Sequence, residues 1–185
     1  MKNATFLWFV ISAWALALCS CGTGCGGGKA HTDRSKLITV GTEVPALVRV
    51  DHRGDVVSLR GGPPTLLYFY PKDGTPGCTK EACAFRDSWE KYSEAGLRVV
   101  GVSTDDEAHH RAFAAEHDLP FSLIADPERA WSEGFGVGRF LGDKNERVSF
   151  LIDAQGKVAK VYQDVDPGVH AAEVLADAKQ LGLAK

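Results

Sequence analysis

The feature that most constrains this chain is an alternation of continuous apolar runs with amphipathic ones. "TLLYFY" (Thr65 to Tyr70), "LRVVGVS" (Leu97 to Ser103) and "FSLIAD" (Phe121 to Asp126) are apolar and β-rich. Such runs suit strands buried on both faces. Between the first two, Cys78 to Ala95 places Ala82, Phe85, Trp89 and Tyr92 every three or four residues, the spacing of one helix face. Gly96 stands where a helix usually ends. "DDEAHHRAFAAEHD" opens on acidic residues and reads as a second helix. "PERAWSEGF" puts Pro127 at a first helical position. Strands alternating with helices imply a mostly parallel central sheet with helices on both faces.

Two further segments complete the plan. "RVSFLIDAQGKVAKVYQDV" reads as two strands around a turn at Ala154 to Gly156, which makes the sheet mixed, and "VHAAEVLADAKQLG" closes the chain as an amphipathic helix. "ALVRV" and "VVSL" flank the turn-forming "DHRGD" as an N-terminal hairpin. This element order suits an α/β chain of thioredoxin-like fold over residues 37–185. In open sheets of this kind, function concentrates where a strand's carboxyl end feeds a helix. Cys78 stands at that junction.

The head of the chain differs. Lys2 precedes an apolar run from Phe6 to Leu18. About 13 residues is short for a membrane span and suits a signal-peptide core. "LCSC" fits a bacterial lipoprotein signal over residues 1–20, with small Ser20 ahead of a lipidated Cys21. Cleavage before Cys19 would place bulky Leu18 there. Ordinary secretion and an uncleaved anchor are the alternatives. Residues 21–36 read as a flexible, Gly-rich tether. Cys19, Cys21 and Cys25 lack a fourth ligand, a weak signal for zinc. A net charge of −3, with Lys and Arg scattered, gives no nucleic-acid footprint. His109 and His110 are adjacent and project about 100° apart on a helix, so they form no ligand set. His117 and His170 read as surface or half-buried residues, and Trp89 and Trp131 as core.

"YFYPKDGTPGCTKEACAFRD" carries the chemistry. A thiol becomes a good nucleophile only as its anion, which a helix N-terminus favours. Pro76 and Gly77 hold the preceding turn, and Thr75 can offer a hydroxyl. A free cysteine is more often a buried small hydrophobe, but this polar, turn-rich setting favours a reactive thiol. Cys83 is ambiguous. Five helical residues give about 7.5 Å of rise and about 500° of rotation. The Cα atoms would then stand about 8.5 Å apart, beyond the disulfide range of about 4.4–6.8 Å. Either Cys83 is core, or the helix unwinds.

This segment resembles the active-site motif of the PrxQ (bacterioferritin comigratory protein) branch of the peroxiredoxins, with Pro71, Thr75 and Cys78 matching its Pro-x-x-x-Thr-x-x-Cys pattern. "VVGVSTDD", "LPFSLIAD", "RVSFLIDAQGKV" and "VDPGVHAAEVL" resemble later family segments in order. The resemblance spans about Val44 to Leu181. It implies a peroxidase reducing hydrogen peroxide and organic hydroperoxides, needing no cofactor or metal and acting as a monomer. Cys78 would be the peroxidatic cysteine, Thr75 would bind peroxide and thiolate, Arg147 would stabilise the thiolate and displaced oxygen, and Glu81 would orient Arg147. Cys83 would be an intramolecular resolving cysteine, which requires the helix to unfold locally. A thioredoxin-like or other dithiol would supply electrons. A lipid-anchored, extracytoplasmic home calls for a periplasmic thioredoxin-like protein or a membrane-linked relay. A thiol–disulfide oxidoreductase is the nearest rival, although it wants Cys-x-x-Cys. A non-enzymatic redox-sensing lipoprotein is the other.

Overall fold

The computed structural model describes residues 34–185. The signal-like head, with Cys19, Cys21 and Cys25, lies outside the described residues, as does nearly all of the tether. The elements are β1 (Val48–Val50), β2 (Val56–Ser58), β3 (Thr65–Phe69), α1 (Pro76–Asp87), α2 (Trp89–Glu94), β4 (Arg98–Ser103), α3 (Glu107–Glu116), β5 (Ser122–Ala125), α4 (Ala130–Gly134), β6 (Arg139–Phe140), β7 (Lys144–Asn145), β8 (Val148–Ile152), β9 (Val158–Tyr162) and α5 (His170–Gln180). Among the described residues no helix is long and apolar enough to cross a membrane.

The central sheet runs β5-β4-β3-β8-β9. β3, β4 and β5 are parallel, while β8 and β9 join antiparallel. The expected mixed sheet is therefore present, with the hairpin β1–β2 as a separate two-stranded piece. Alternation along each strand sends side chains to opposite faces. Leu66, Tyr68, Val99, Leu123 and Leu151 pack toward one core with Phe85 of α1, Tyr92 of α2 and Val174 of α5. Leu67, Phe69, Val100, Val102, Ile124 and Phe150 pack toward the other, with Trp131 and Phe135 of the α4 region and Val44 and Val57 of the N-terminal segment. Burial on both faces is why the strands read as uninterrupted apolar runs.

Three local expectations change. The helix expected over 78–95 begins at Pro76 and breaks at Ser88, whose N–H is shared between the Ala84 and Phe85 carbonyls. Pro127 does not open a helix. α4 starts at Ala130, after Arg129 turns into the left-handed region at φ 62°. That turn points the Arg129 side chain inward, where it donates to the Val137 carbonyl at 2.9 Å and Asn145 Oδ1 at 2.6 Å. Asp126 caps the helix from outside, accepting from the Trp131 and Ser132 N–H groups at 3.0 and 2.8 Å. Finally, His170 is fully buried, not a surface or half-buried residue. Its Nε2 pairs with Ser149 Oγ at 2.9 Å, and its ring packs edge-on against Phe85 and Tyr162. Burial pushes its pKa below the ordinary value.

The sheet centre tolerates no added atoms. A Cβ on Gly101 of β4 would lie 2.7 Å from Tyr68 Cζ and 2.8 Å from Leu123 Cδ2. Gly101→Ala is expected to lower stability by about 1–3 kcal/mol through overpacking, read as a lower urea midpoint at unchanged slope.

Candidate active site

The site forms where β3 ends. Phe69 pairs with Val148, so Arg147, the residue before β8, lies beside the turn that leads into α1. Residues 147, 149 and 151 alternate onto the α1 face of the sheet, and Arg147 thereby reaches the start of the helix. Pro76 opens α1, where its missing N–H costs nothing. Cys78 follows in the first turn and is buried. The first-turn N–H groups and the helix dipole favour an anion there.

Arg147 links the pieces. Its Nη2 donates to Cys78 Sγ at 3.2 Å, and its Nη1 donates to Glu81 Oε2. The guanidinium is 19% exposed and the carboxylate 0%, so the pair is held largely out of water. A cationic donor at that distance makes a charge-assisted hydrogen bond to the sulfur. Burial alone would depress the Arg147 pKa, but Glu81 and Cys78 outweigh it and raise the value. Burial pushes the Glu81 carboxyl up to about 7, with Arg147 only partly offsetting it. Its Oε1 has no hydrogen-bond partner.

Thr75 stands at the N-cap of α1, where its carbonyl accepts from the Thr79 N–H at 2.8 Å. Its hydroxyl donates to the Lys72 carbonyl at 3.0 Å and so braces the loop. Cys83 lies on the same continuous helix, half-buried, and both thiols are free. The two sulfurs are not within disulfide distance. Five expected site residues thus fall along one helix and one facing strand end. Arg147 joins Cys78 and Glu81 by hydrogen bonds, whereas the Thr75 hydroxyl turns to Lys72 and Cys83 stands apart.

The structure adds residues that were not singled out from the sequence. Asp73 accepts from Tyr70 Oη at 2.7 Å and pairs with buried His110 Nδ1 at 2.7 Å, while its N–H donates to Asp105 Oδ2 at 2.8 Å. These contacts pin the loop between β3 and α1. Two adjacent histidines about 100° apart on a helix are a signal that could have pointed to His110 facing inward. A cleft of about 270 Å³ beside Arg147 is lined by Pro71, Phe140, Glu146, Arg147 and Gln163. A larger cleft of about 680 Å³, between β1 and the start of α3, contains none of the five expected residues. Of the two, only the smaller is lined by one of them, Arg147. Among the described residues no group of three or more His, Cys, Asp or Glu side chains could hold a metal.

The AhpC/TSA family model matches residues 40–161. The chain belongs to this family. A bcp peroxiredoxin of Coxiella burnetii is 41% identical over 149 residues, covering 75% of this chain and 97% of that one. The chloroplastic peroxiredoxin Q of Triticum aestivum is 43% identical over 142 residues, covering 75% of this chain and 65% of that one. The crystal structure of the peroxidoxin BcpB of Mycobacterium tuberculosis superposes with a TM-score of 0.71 at 33% identity, over 77% of this chain and 97% of that one. The peroxiredoxin Q resemblance read from the motifs is therefore borne out, and with it the thioredoxin-like fold. As an AhpC/TSA peroxiredoxin the chain is a thiol peroxidase.

The raised Glu81 pKa has a stability consequence. A carboxyl whose pKa is higher folded than unfolded binds its proton more tightly in the native state. Its contribution to stability is present below the ordinary value of 4.5 and is lost as pH rises through about 7. Relative to Glu81→Gln, the wild-type chain is therefore expected to lose about 3 kcal/mol between pH 4.5 and 7. Urea midpoints of both reduced proteins at pH 5 and 8 measure this. A difference independent of pH would show that Glu81 does not titrate in that window.

Proposed function

We propose that the chain reduces hydrogen peroxide and organic hydroperoxides with Cys78 as the peroxidatic cysteine. The 3.2 Å contact between Arg147 and the Cys78 sulfur, at a helix start beside a cleft, carries this reading. The thiolate attacks the terminal oxygen of ROOH, the O–O bond breaks, and its electron pair leaves with RO⁻. The alkoxide takes a proton to become ROH, and the sulfur, oxidised by two electrons, holds OH as a sulfenic acid. Negative charge moves from sulfur to the departing oxygen, and the guanidinium is already aimed at the space between them. Such preorganised donors stabilise the transition state most. Glu81 orients that guanidinium, and Thr75 binds the peroxide once its hydroxyl turns from Lys72. Pro71 and Phe140 line the cleft with apolar surface suited to an organic R group.

Cys83 then resolves the sulfenic acid. Its thiol displaces the OH as water, leaving a Cys78–Cys83 disulfide that an external dithiol of thioredoxin type reduces. The two thiols occupy one continuous helix, so the first turns of α1 must unwind. Phe85, packed against Tyr68, Tyr92 and Phe121, lies beyond both cysteines and can stay in place as the anchor. Glu81 lies between them, so unwinding also withdraws its carboxylate from Arg147. The domain acts as a monomer, outside the cytoplasm, held by lipid on Cys21. The same four-residue gap that forces unwinding disfavours a thiol–disulfide oxidoreductase.

Stoichiometric hydrogen peroxide, added to the reduced full chain, should disappear rapidly with formation of a Cys78–Cys83 disulfide located by peptide mapping. Cys78→Ser should abolish the rapid phase. Cys83→Ser should keep one fast turnover and accumulate a dimedone-reactive sulfenic acid. Rapid loss in Cys78→Ser would remove the assignment. Arg147→Lys is expected to slow peroxide attack by about 10²-fold, because one ammonium cannot hold Glu81 and the sulfur with a planar fork. Stopped-flow of the first turnover measures it.

A further inference from the structure

We propose that the tip of the β6–β7 hairpin, Phe140–Leu141, seats in a lipid surface and passes lipid hydroperoxides from it into the cleft lined by Arg147, beside Cys78. The proposal rests on the peroxidase reading above and on an anchor at Cys21. Leu141 is 74% exposed and Phe140 42%. Leu141 also sits at φ 46°, a region where the Cβ of an L-residue crowds its own carbonyl and which Gly or Asn occupies more readily. In water, this leucine is unfavourable in both its exposure and its backbone. Costs of that kind, at a loop tip left exposed among the described residues, point to a role outside the isolated domain.

Position supplies the occupant. Phe140 lines the cleft together with Arg147, and Arg147 is the residue that touches the Cys78 sulfur. The tip and the guanidinium that touches the sulfur therefore line one cleft. The N-terminal segment leaves the domain at the base of the same hairpin. The Ile38 N–H donates to the Phe135 carbonyl at 3.2 Å, and the Lys36 carbonyl oxygen occupies the place a Cβ on Gly136 would take. Only three residues separate Gly136 from Phe140, at most roughly 14 Å of chain. The 16 residues from Cys21 to Lys36 span at most roughly 50 Å. An anchor at Cys21 thus holds this side of the domain within reach of the bilayer.

Charge does not drive the contact. Arg139 pairs with Asp143 and with Glu133, so the rim is mixed in sign. The seat is apolar and should work on zwitterionic lipid. Two side chains bind a bilayer too weakly alone, and the anchor supplies the second signal that stable attachment requires. The redox step is unchanged in its balance. The terminal oxygen of the lipid hydroperoxide goes to the Cys78 sulfur, and the lipid alkoxide takes a proton and remains in the bilayer as the alcohol.

The test uses the full, lipid-anchored chain in phosphatidylcholine vesicles containing phosphatidylcholine hydroperoxide, with dithiothreitol as reductant. Leu141→Asn suits the left-handed backbone and so leaves the fold intact. It should slow reduction of the vesicle hydroperoxide at least fivefold while leaving hydrogen peroxide turnover unchanged. Val56→Asn, at an exposed valine on another hairpin, should change neither. Leu141→Trp, as a difference spectrum against the parent chain, should show blue-shifted emission on adding vesicles. Normal hydrogen peroxide turnover with no effect of Leu141→Asn on the vesicle rate would overturn the proposal while leaving the peroxidase standing. A blue shift without turnover of any peroxide would support the lipid seat and remove the peroxidase reading instead. Slowing by Leu141→Asn only with a thioredoxin as reductant, and without vesicles, would make the tip a reductant dock and overturn the lipid seat.

Discussion

One guanidinium joins the two ends of the site. Arg147 reaches back 66 residues to Glu81 and 69 to Cys78, from a strand end to a helix start that have no sequence proximity. For its arm to meet the sulfur, β8 must pair with β3 in register, so that Val148 stands opposite Phe69. A slip of one residue would send Arg147 to the opposite face of the sheet. The two-sided core prevents that slip, because every other residue of β8 is committed to one face or the other.

The arrangement contains an internal tension. Glu81 is buried with its pKa pushed up to about 7 and one oxygen without a partner. A charge in that position is costly unless paired. Arg147 offsets part of the cost and is itself oriented by it. The ion pair is thus better understood as a device for aiming a donor at the sulfur than as a source of stability. It is also a contact that unwinding of α1 would release, and the first turns of a helix are the portion with the fewest internal partners. Beyond them, Phe85 sits in an aromatic cluster with Tyr68, Tyr92, Phe121 and His170. The aromatic packing of α1 lies past the cysteines, with only Ala82 of the segment between them in the apolar core, which would suit a helix that opens at one end in the resolving step proposed above.

The loop from Pro71 to Thr75 is held differently. Asp73 collects a phenol, an imidazole and, through its own N–H, a second carboxylate. A turn rich in Gly and Pro fixes its backbone from within, but its placement against α3 comes from these three contacts. Residues 30 or more positions away, Asp105 and His110, therefore take part in positioning Cys78.

By itself the sequence determined the layers and the candidate nucleophile. Period-two and period-3.6 patterns, and a cysteine just after Pro-Gly at a strand-to-helix junction, are local signals that survive without knowledge of partners. The motif resemblance supplied Arg147 and Glu81, which no periodicity marked. The tertiary structure alone decided which distant side chains meet. It buried His170 behind α1 and turned Arg129 into the left-handed region to fill a polar pocket. It also split the first helix at Ser88 and placed the short hairpin β6–β7 beside the cleft. Two-residue strands have too few positions to show a period. The burial of a polar residue such as His170 depends on a partner, Ser149, 21 residues away in sequence. Local patterns report what each segment prefers, and pairing across the sheet settles what each side chain touches.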